Sequence, residues 1–261
     1  MIAVLSATEH DFYAMPLPFA VYSWWKIGIN CKVFIPENRG EKLNLAMQYC
    51  TNNTEFFSFE CEDFRIPTYS QVSRLTGATI SYLKEDTVLI TGDSDLCVFS
   101  DYFKQLEDGN VHIVGADLTP DEQYPMCFAA MPVKTWREVY GMKDKGYQEW
   151  LEETINPIQS TNLRGTAWCL DQFLLKQGLD KSGIEVIKHN RSNGQNQFAL
   201  NRADRDSWYN FNTDDIIDAH LPRPLTDEAN MNKVYELFKI KYPNDNLDWM
   251  WEYYHAYKQL L

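Results

Sequence analysis

Thr87 to Thr91 is a β-branched and aliphatic run that reads as a buried strand, and Gly92 interrupts it immediately before Asp93-Ser94-Asp95. In an extended segment alternate residues project to the same side, so Asp93 and Asp95 can face one hard cation while Ser94 points away. An ion held that way calls for a further charged ligand, such as a phosphate. The apolar run at 96–99 that follows the acidic tripeptide sets it between two buried stretches. A strand closing in a solvated acidic turn is the plainer alternative.

At 261 residues and 44% hydrophobic content, the chain can bury one large core, or one core with a small appendage. No stretch approaches the roughly 18 consecutive apolar residues of a membrane span. The opening MIAVLSATEHD lacks the basic flank and apolar run of a signal peptide. These features lead us to expect a soluble, cytoplasmic protein: a bacterial or viral enzyme, or a domain excised from a longer one. The net charge of −13 argues against nucleic acid or an anionic membrane as partner, yet a divalent ion and a few arginines can reverse the sign locally. Six cysteines are present and none forms a CxxC pair, so free thiols are expected, with Cys31, Cys97, Cys127 and Cys169 inside strands or helices.

The first half alternates strands and helices. Ile2 to Ser6 reads as a strand, Pro18 to Ile27 as a helix, Cys31 to Ile35 as a second strand, Glu41 to Tyr49 as a helix and Glu55 to Phe59 as a third strand. A helix from Ser70 to Leu83 then leads into the central strand. Such a βαβ beginning predicts parallel strands with a ligand at their carboxyl ends, which places Thr8 and Tyr13 beside Asp93 and Asp95. Further on, Val111 to Val114, Met126 to Met131 and Gly183 to Lys188 read as strands. Val133 to Tyr140, Tyr147 to Ile155 and Ala167 to Gln177 read as helices. Thr161 to Thr166 and the polar stretch from Asn190 to Asp206 read as loops. Thr226 is the expected cap of a helix reaching Lys239, and the aromatic-rich end, Leu247 to Leu261, a helix packed on the core.

The strand ending in Asp-x-Asp resembles the DxD signature of nucleotide-sugar glycosyltransferases with the GT-A fold. The match is closest to the glycogenin and bacterial galactosyltransferase-like group and related enzymes of large DNA viruses. Four other stretches are similar to that family. Ser6-Ala7-Thr8-Glu9-His10-Asp11-Phe12-Tyr13-Ala14 matches its opening strand, acidic loop and Tyr-Ala pair, which implies that Tyr13 stacks on uracil and Thr8 lines the nucleoside pocket. Ser70, Arg74 and Leu75 match the helix whose arginine reaches the nucleotide, and a guanidinium suits phosphate through paired bonds. Asp171-Gln172 matches the start of the family's Asp-Gln-Asp beside the sugar, with Phe173 in the last place. His220, followed by Pro222-Arg223-Pro224, resembles the C-terminal metal-binding histidine, with Arg223 as the candidate replacement for a lysine on the diphosphate. The family's glycine and spacing there are absent, and Cys127 to Met131 offers no amide where the family usually has an asparagine.

The resemblance implies an α/β fold of the GT-A, Rossmann-like kind: a mixed, mostly parallel sheet flanked by helices, with C-terminal helices. The resemblance covers roughly residues 1–224, and we expect one domain over 1–261, with a nucleotide-binding half to 100, an acceptor and catalytic half at 101–224 and a helical extension at 225–261 that rests on periodicity alone. The implied activity is metal-dependent transfer of a hexose from a UDP-sugar to a hydroxyl of a glycan or glycoconjugate. Mn2+ or Mg2+ would be held by Asp93, Asp95 and His220, a donor set of the right kind. Arg74 and Arg223 would share the diphosphate, and Asp171 and Gln172 would flank the reacting centre. Inversion and retention of configuration both remain open. Three rivals differ in signature. A sugar-phosphate nucleotidyltransferase needs a glycine-rich loop after the first strand, which ATEHDFY is not. A DxDx(T/V) phosphatase carries its aspartates after the first strand. A carbohydrate-binding module on an inherited fold would use aromatic faces such as Trp249, Trp251, Tyr253, Tyr254 and Tyr257.

Overall fold

The computed structural model describes residues 1–159, 169–191, 201–205, 208 and 213–261. The expected Thr161 to Thr166 loop lies outside the described residues, as does most of the expected loop from Asn190 to Asp206. Strands β1 (Ile2–Ser6), β2 (Asn30–Pro36), β3 (Thr54–Phe59), β4 (Val88–Thr91), β6 (Val111–Val114), β7 (Ala129–Pro132) and β8 (Val186–His189) form a seven-stranded sheet of order β3-β2-β1-β4-β7-β6-β8. All neighbours are parallel except at β7, which runs against both β4 and β6. A second sheet of order β5-β10-β9 is built from β5 (Leu96–Val98), β9 (Asn201–Ala203) and β10 (Ile216–His220).

Alternation along the strands splits the core in two. In β1, Ala3 and Leu5 face one side and Val4 the other; Val88 and Ile90 oppose Leu89 in β4. On the first side lie α2 (Leu17–Lys26), α8 (Glu228–Lys241) and α9 (Asp248–Lys258), whose Phe19, Trp24, Phe238 and Tyr253 are buried together. On the other lie α4 (Ile66–Ser73), α5 (Val133–Tyr140), α6 (Tyr147–Gln159) and α7 (Leu170–Ser182). The rings of Tyr253, Tyr254 and Tyr257 are in the core, so the terminal helix uses them for packing rather than as an open sugar-stacking face. All six cysteines are free. Cys31 and Cys97 are buried, and burial pushes both thiols well up; Cys127 and Cys169 are half-buried. Among the described residues no helix is long and apolar enough to cross a membrane.

Several expected boundaries are corrected. The helix expected over Ser70 to Leu83 is α4, set earlier by Pro67 in its first turn, and the chain tightens into a 3-10 turn from Arg74 to Thr79. The 3-10 turn packs Gly77 onto β1 and β4: a Cβ there would lie 2.7 Å from Val4. Met126–Phe128 is a 3-10 turn before β7, and the cap of α8 is Asp227 rather than Thr226, its carboxylate accepting the Asn230 N–H at 3.1 Å. β9 lies inside the stretch expected to be loop, and β10 was not foreseen.

Glu9 shows how a loop residue can hold a distant helix. Its carboxylate accepts the N–H groups of Gly40, Lys42 and Leu43 at 2.9–3.1 Å, capping α3 (Glu41–Tyr49), which has no side-chain cap of its own. Gly40 leaves the space, since a Cβ would lie 2.6 Å from the carboxylate. Glu9→Ala should therefore lower stability by about 1–2 kcal/mol, the scale of a lost N-cap. Denaturant unfolding measures this, and a change within error would show that water caps the helix as well.

Candidate functional site

The parallel strands end at one sheet edge, and the site is built there. Thr8 follows β1, and Tyr13 lies in the short helix α1 (Asp11–Ala14) beyond it; Asp93 follows β4. The path after β4 departs from the expected extended run. Asp93 to Leu96 form a turn closed by the Leu96 N–H on the Asp93 carbonyl at 3.2 Å, so alternate side chains do not share a face as in a strand. Asp93 and Asp95 consequently reach different partners.

Asp93 pairs with Arg74, and the same guanidinium pairs with Asp171 in the first turn of α7. Burial works against the charge on Arg74, but Asp93 and Asp171 outweigh it and raise its pKa. One guanidinium cannot neutralise two carboxylates equally. Burial pushes Asp93 up, yet Arg74, His220 and Arg202 together hold it below its ordinary value. Asp171, only 1% exposed, goes the other way: burial lifts its pKa to about 6 against the pull of Arg74. Asp171 is thus the carboxylate of the pair that protonates first as the pH falls.

Asp95 is 3% exposed and its Oδ2 gathers three side chains: Arg223 at 2.5 Å, Arg205 at 3.1 Å and His220 Nε2 at 3.3 Å. The convergence comes from strand direction. His220 ends β10 and pairs in antiparallel register with Leu96, the first residue of β5, so Asp95 sits opposite the end of β10. β9 runs parallel to β10, which brings Arg205, just past β9, to the same edge as Arg223, just past β10. The Arg223 guanidinium lies over the rings of Phe12 and Tyr13, at 4.8 and 5.2 Å. Arg205 also touches His220. Burial lowers the His220 pKa against the pull of Asp95.

The structure therefore brings Asp93, Arg74 and Asp171 into one cluster and Asp95, His220, Arg223 and Tyr13 into an adjoining one. The Thr8 hydroxyl accepts the His10 N–H at 3.4 Å, and the Gln172 backbone carbonyl accepts the Tyr124 N–H at 3.3 Å. Asp93, Asp95 and His220 present hard oxygen and imidazole donors, a set whose chemistry fits Mn2+ or Mg2+. In the arrangement seen, guanidiniums rather than a shared cation position organise the carboxylates. Among the described residues no group of three His, Cys, Asp or Glu side chains is grouped to hold a metal ion.

Arg205 and a second set of charges were missed in the sequence. Asp218, fully buried in β10, pairs with Arg191 and with Arg202 of β9, the latter at 2.8 Å, and Arg202 also reaches the Cys127 thiol at 3.7 Å. The signal was present in Ile216-Ile217-Asp218-Ala219-His220, a β-branched start followed by alternation that puts Asp218 and His220 on one face.

No protein-family model matches the sequence, and no curated protein does. Among solved structures, the chain is similar to the galactosyltransferase LgtC in complex with donor and acceptor sugar analogues, at 16% identity over 95% of this chain and 99% of that one, with a TM-score of 0.49. It is similar to an active-site mutant of LgtC at 14% identity over the same shares, with a TM-score of 0.50. The sheet order, the single reversed strand β7 and that second likeness agree: the chain has the GT-A glycosyltransferase fold.

Proposed function

We propose that this chain is a glycosyltransferase that moves a hexose from a UDP-sugar to a hydroxyl of a glycan or glycoconjugate acceptor, with Mn2+ or Mg2+ held by Asp93, Asp95 and His220. The observation that carries this reading is the meeting of Asp95 with His220, Arg205 and Arg223 at the sheet edge where β1 and β4 end. Open α/β sheets bind nucleotides at such an edge. The likeness in fold to the active-site mutant of LgtC supports it further.

In this reading Tyr13 stacks on the base, Thr8 lines the nucleoside pocket, and Arg74 and Arg223 turn their guanidiniums to phosphate oxygens. A bound divalent ion would offset charge building on the departing diphosphate. Asp171, with Gln172 beside it, serves the reacting centre, as base for an inverting transfer or as stabilising carboxylate for a retaining one. The first test is titration calorimetry of UDP, GDP and CMP with and without Mn2+. Metal-dependent binding of UDP is the expected result, and failure of every nucleotide to bind in the presence of Mn2+ overturns the reading.

The raised pKa of Asp171 makes a second prediction. Below about pH 6 the group is protonated in the free protein and can neither accept a proton nor stabilise positive charge, so kcat/KM should rise with pH through about 6 and then level. Asp171→Asn should lower kcat by about 10²-fold or more and remove that acid limb. A rate profile for Asp171→Asn that keeps the limb near pH 6 would assign it elsewhere.

A further inference from the structure

Arg74, Arg205 and Arg223 pair with Asp93, Asp95 and Asp171, and the Asp204 carboxylate lies 3.8 Å from His220 Nδ1. The pairing is uneven. Arg205 and Arg223 both reach one oxygen, Asp95 Oδ2, at 3.1 and 2.5 Å, and Arg205 touches His220 as well. Two like charges beside one oxygen repel each other, and what offsets that repulsion here is the carboxylate itself, with the rings of Phe12 and Tyr13 under Arg223.

A divalent cation approaching Asp95 alone meets two resident positive charges and must break their charge-assisted hydrogen bonds. A dianionic diphosphate approaching alone finds the same guanidiniums already committed to a carboxylate. The two together change the balance. The diphosphate accepts the guanidiniums in the bidentate geometry that suits them, and the freed carboxylate takes the cation. A divalent ion with the diphosphate of a sugar nucleotide is a neutral pair, so the two together leave the charge of the site unchanged. Either partner by itself leaves buried charge uncompensated, which a low-dielectric cleft penalises.

We infer that Arg205 and Arg223 are resident counter-cations on Asp95 that hand over to the diphosphate, so that cation and diphosphate bind as a coupled pair and neither binds well alone. The inference rests on the nucleotide-sugar reading above and assigns Arg205 a part in it. Because coupling between two ligands is reciprocal, the effect is measurable from either side.

The experiment uses the full chain, with free Mn2+ followed by electron paramagnetic resonance and UDP by calorimetry. In the wild type, saturating UDP should tighten Mn2+ by about tenfold or more, and Mn2+ should tighten UDP by the same factor. In R205Q/R223Q, Mn2+ alone should bind about tenfold tighter than in the wild type, while UDP weakens and the coupling falls below about threefold. R205K/R223K keeps the counter-charges and should hold Mn2+-alone affinity near the wild-type value. The single variants R205Q and R223Q are measured alongside, so that the comparison survives poor folding of the double variant, and thermal melts identify any that are unfolded. Equal Mn2+-alone affinity in wild type and the glutamine variants overturns the handover. Metal-dependent UDP binding alongside that result would leave the donor reading standing. Tighter Mn2+ in the glutamine variants with no UDP binding anywhere would support the counter-cation role and remove the nucleotide.

Discussion

Asp95→Ala should abolish metal-dependent binding of UDP, weakening it by about 10²-fold or more, while the protein stays folded. Asp95 is where two of the site's arginines and its histidine meet, and it contributes a donor of the proposed metal set. Its removal subtracts a charged ligand from the ion and leaves Arg205 and Arg223 without their carboxylate, and each lost charge-assisted contact is worth about 1.5–3 kcal/mol. The fold should tolerate the change. Both arginines keep 22% of their side-chain surface in solvent and can rehydrate, and Arg223 retains its aromatic platform. Asp95→Asn, which keeps the shape and removes the charge, should lose binding to a similar degree. Calorimetry with and without Mn2+ reads the result, and unchanged UDP affinity in both variants would remove Asp95 from the metal site.

Asp218→Ala should do the opposite, striking stability harder than binding. Asp218 is fully buried between Arg191 and Arg202, whose side chains are only 7% and 13% exposed. Burial raises its pKa, but the two guanidiniums outweigh this and hold the carboxyl below its ordinary value. Truncating one member of such a group leaves buried positive charge without this partner, a change that costs about 3–5 kcal/mol. Denaturant unfolding should show a loss of that size, and Asp218→Asn should lose nearly as much because it keeps the volume but not the charge. A loss under about 1 kcal/mol would mean that Arg191 and Arg202 find water or other acceptors once Asp218 is gone. The pair of variants also separates the two clusters, since loss of Asp95 should fall on ligand binding and loss of Asp218 on the second sheet.

Much of the site was legible because its pieces lie at ends of regular elements. Asp93 follows a strongly apolar strand, Arg74 ends a helix, and Asp171 lies in the first turn of another, each next to a clear hydrophobic pattern. The geometry at 93–96 was not legible. Alternation assumes an extended chain, and the Leu96 N–H closing on the Asp93 carbonyl replaces it with a turn that sends the two carboxylates to separate partners. Arg205 and Arg202 were hidden for a different reason. They sit in a polar, glycine- and asparagine-rich stretch where no periodicity marks a strand, and the three residues of β9 are held by pairing with β10 rather than by local preference.

By itself the sequence determined the alternation of strand and helix through the first half of the chain, because apolar residues at period two or near period four can be buried in only one kind of element. It also determined which chemical groups stand at the ends of those elements. The tertiary structure alone decided which groups meet. Arg74, beside Asp93, reaches Asp171 across 97 positions, and Arg223 reaches Asp95 across 128. Those meetings depend on strand order and direction in two sheets, on β10 running against β5 and alongside β9. Pairing of that kind is set by the burial of both sheet faces at once, a property of the folded whole that no local window of residues contains.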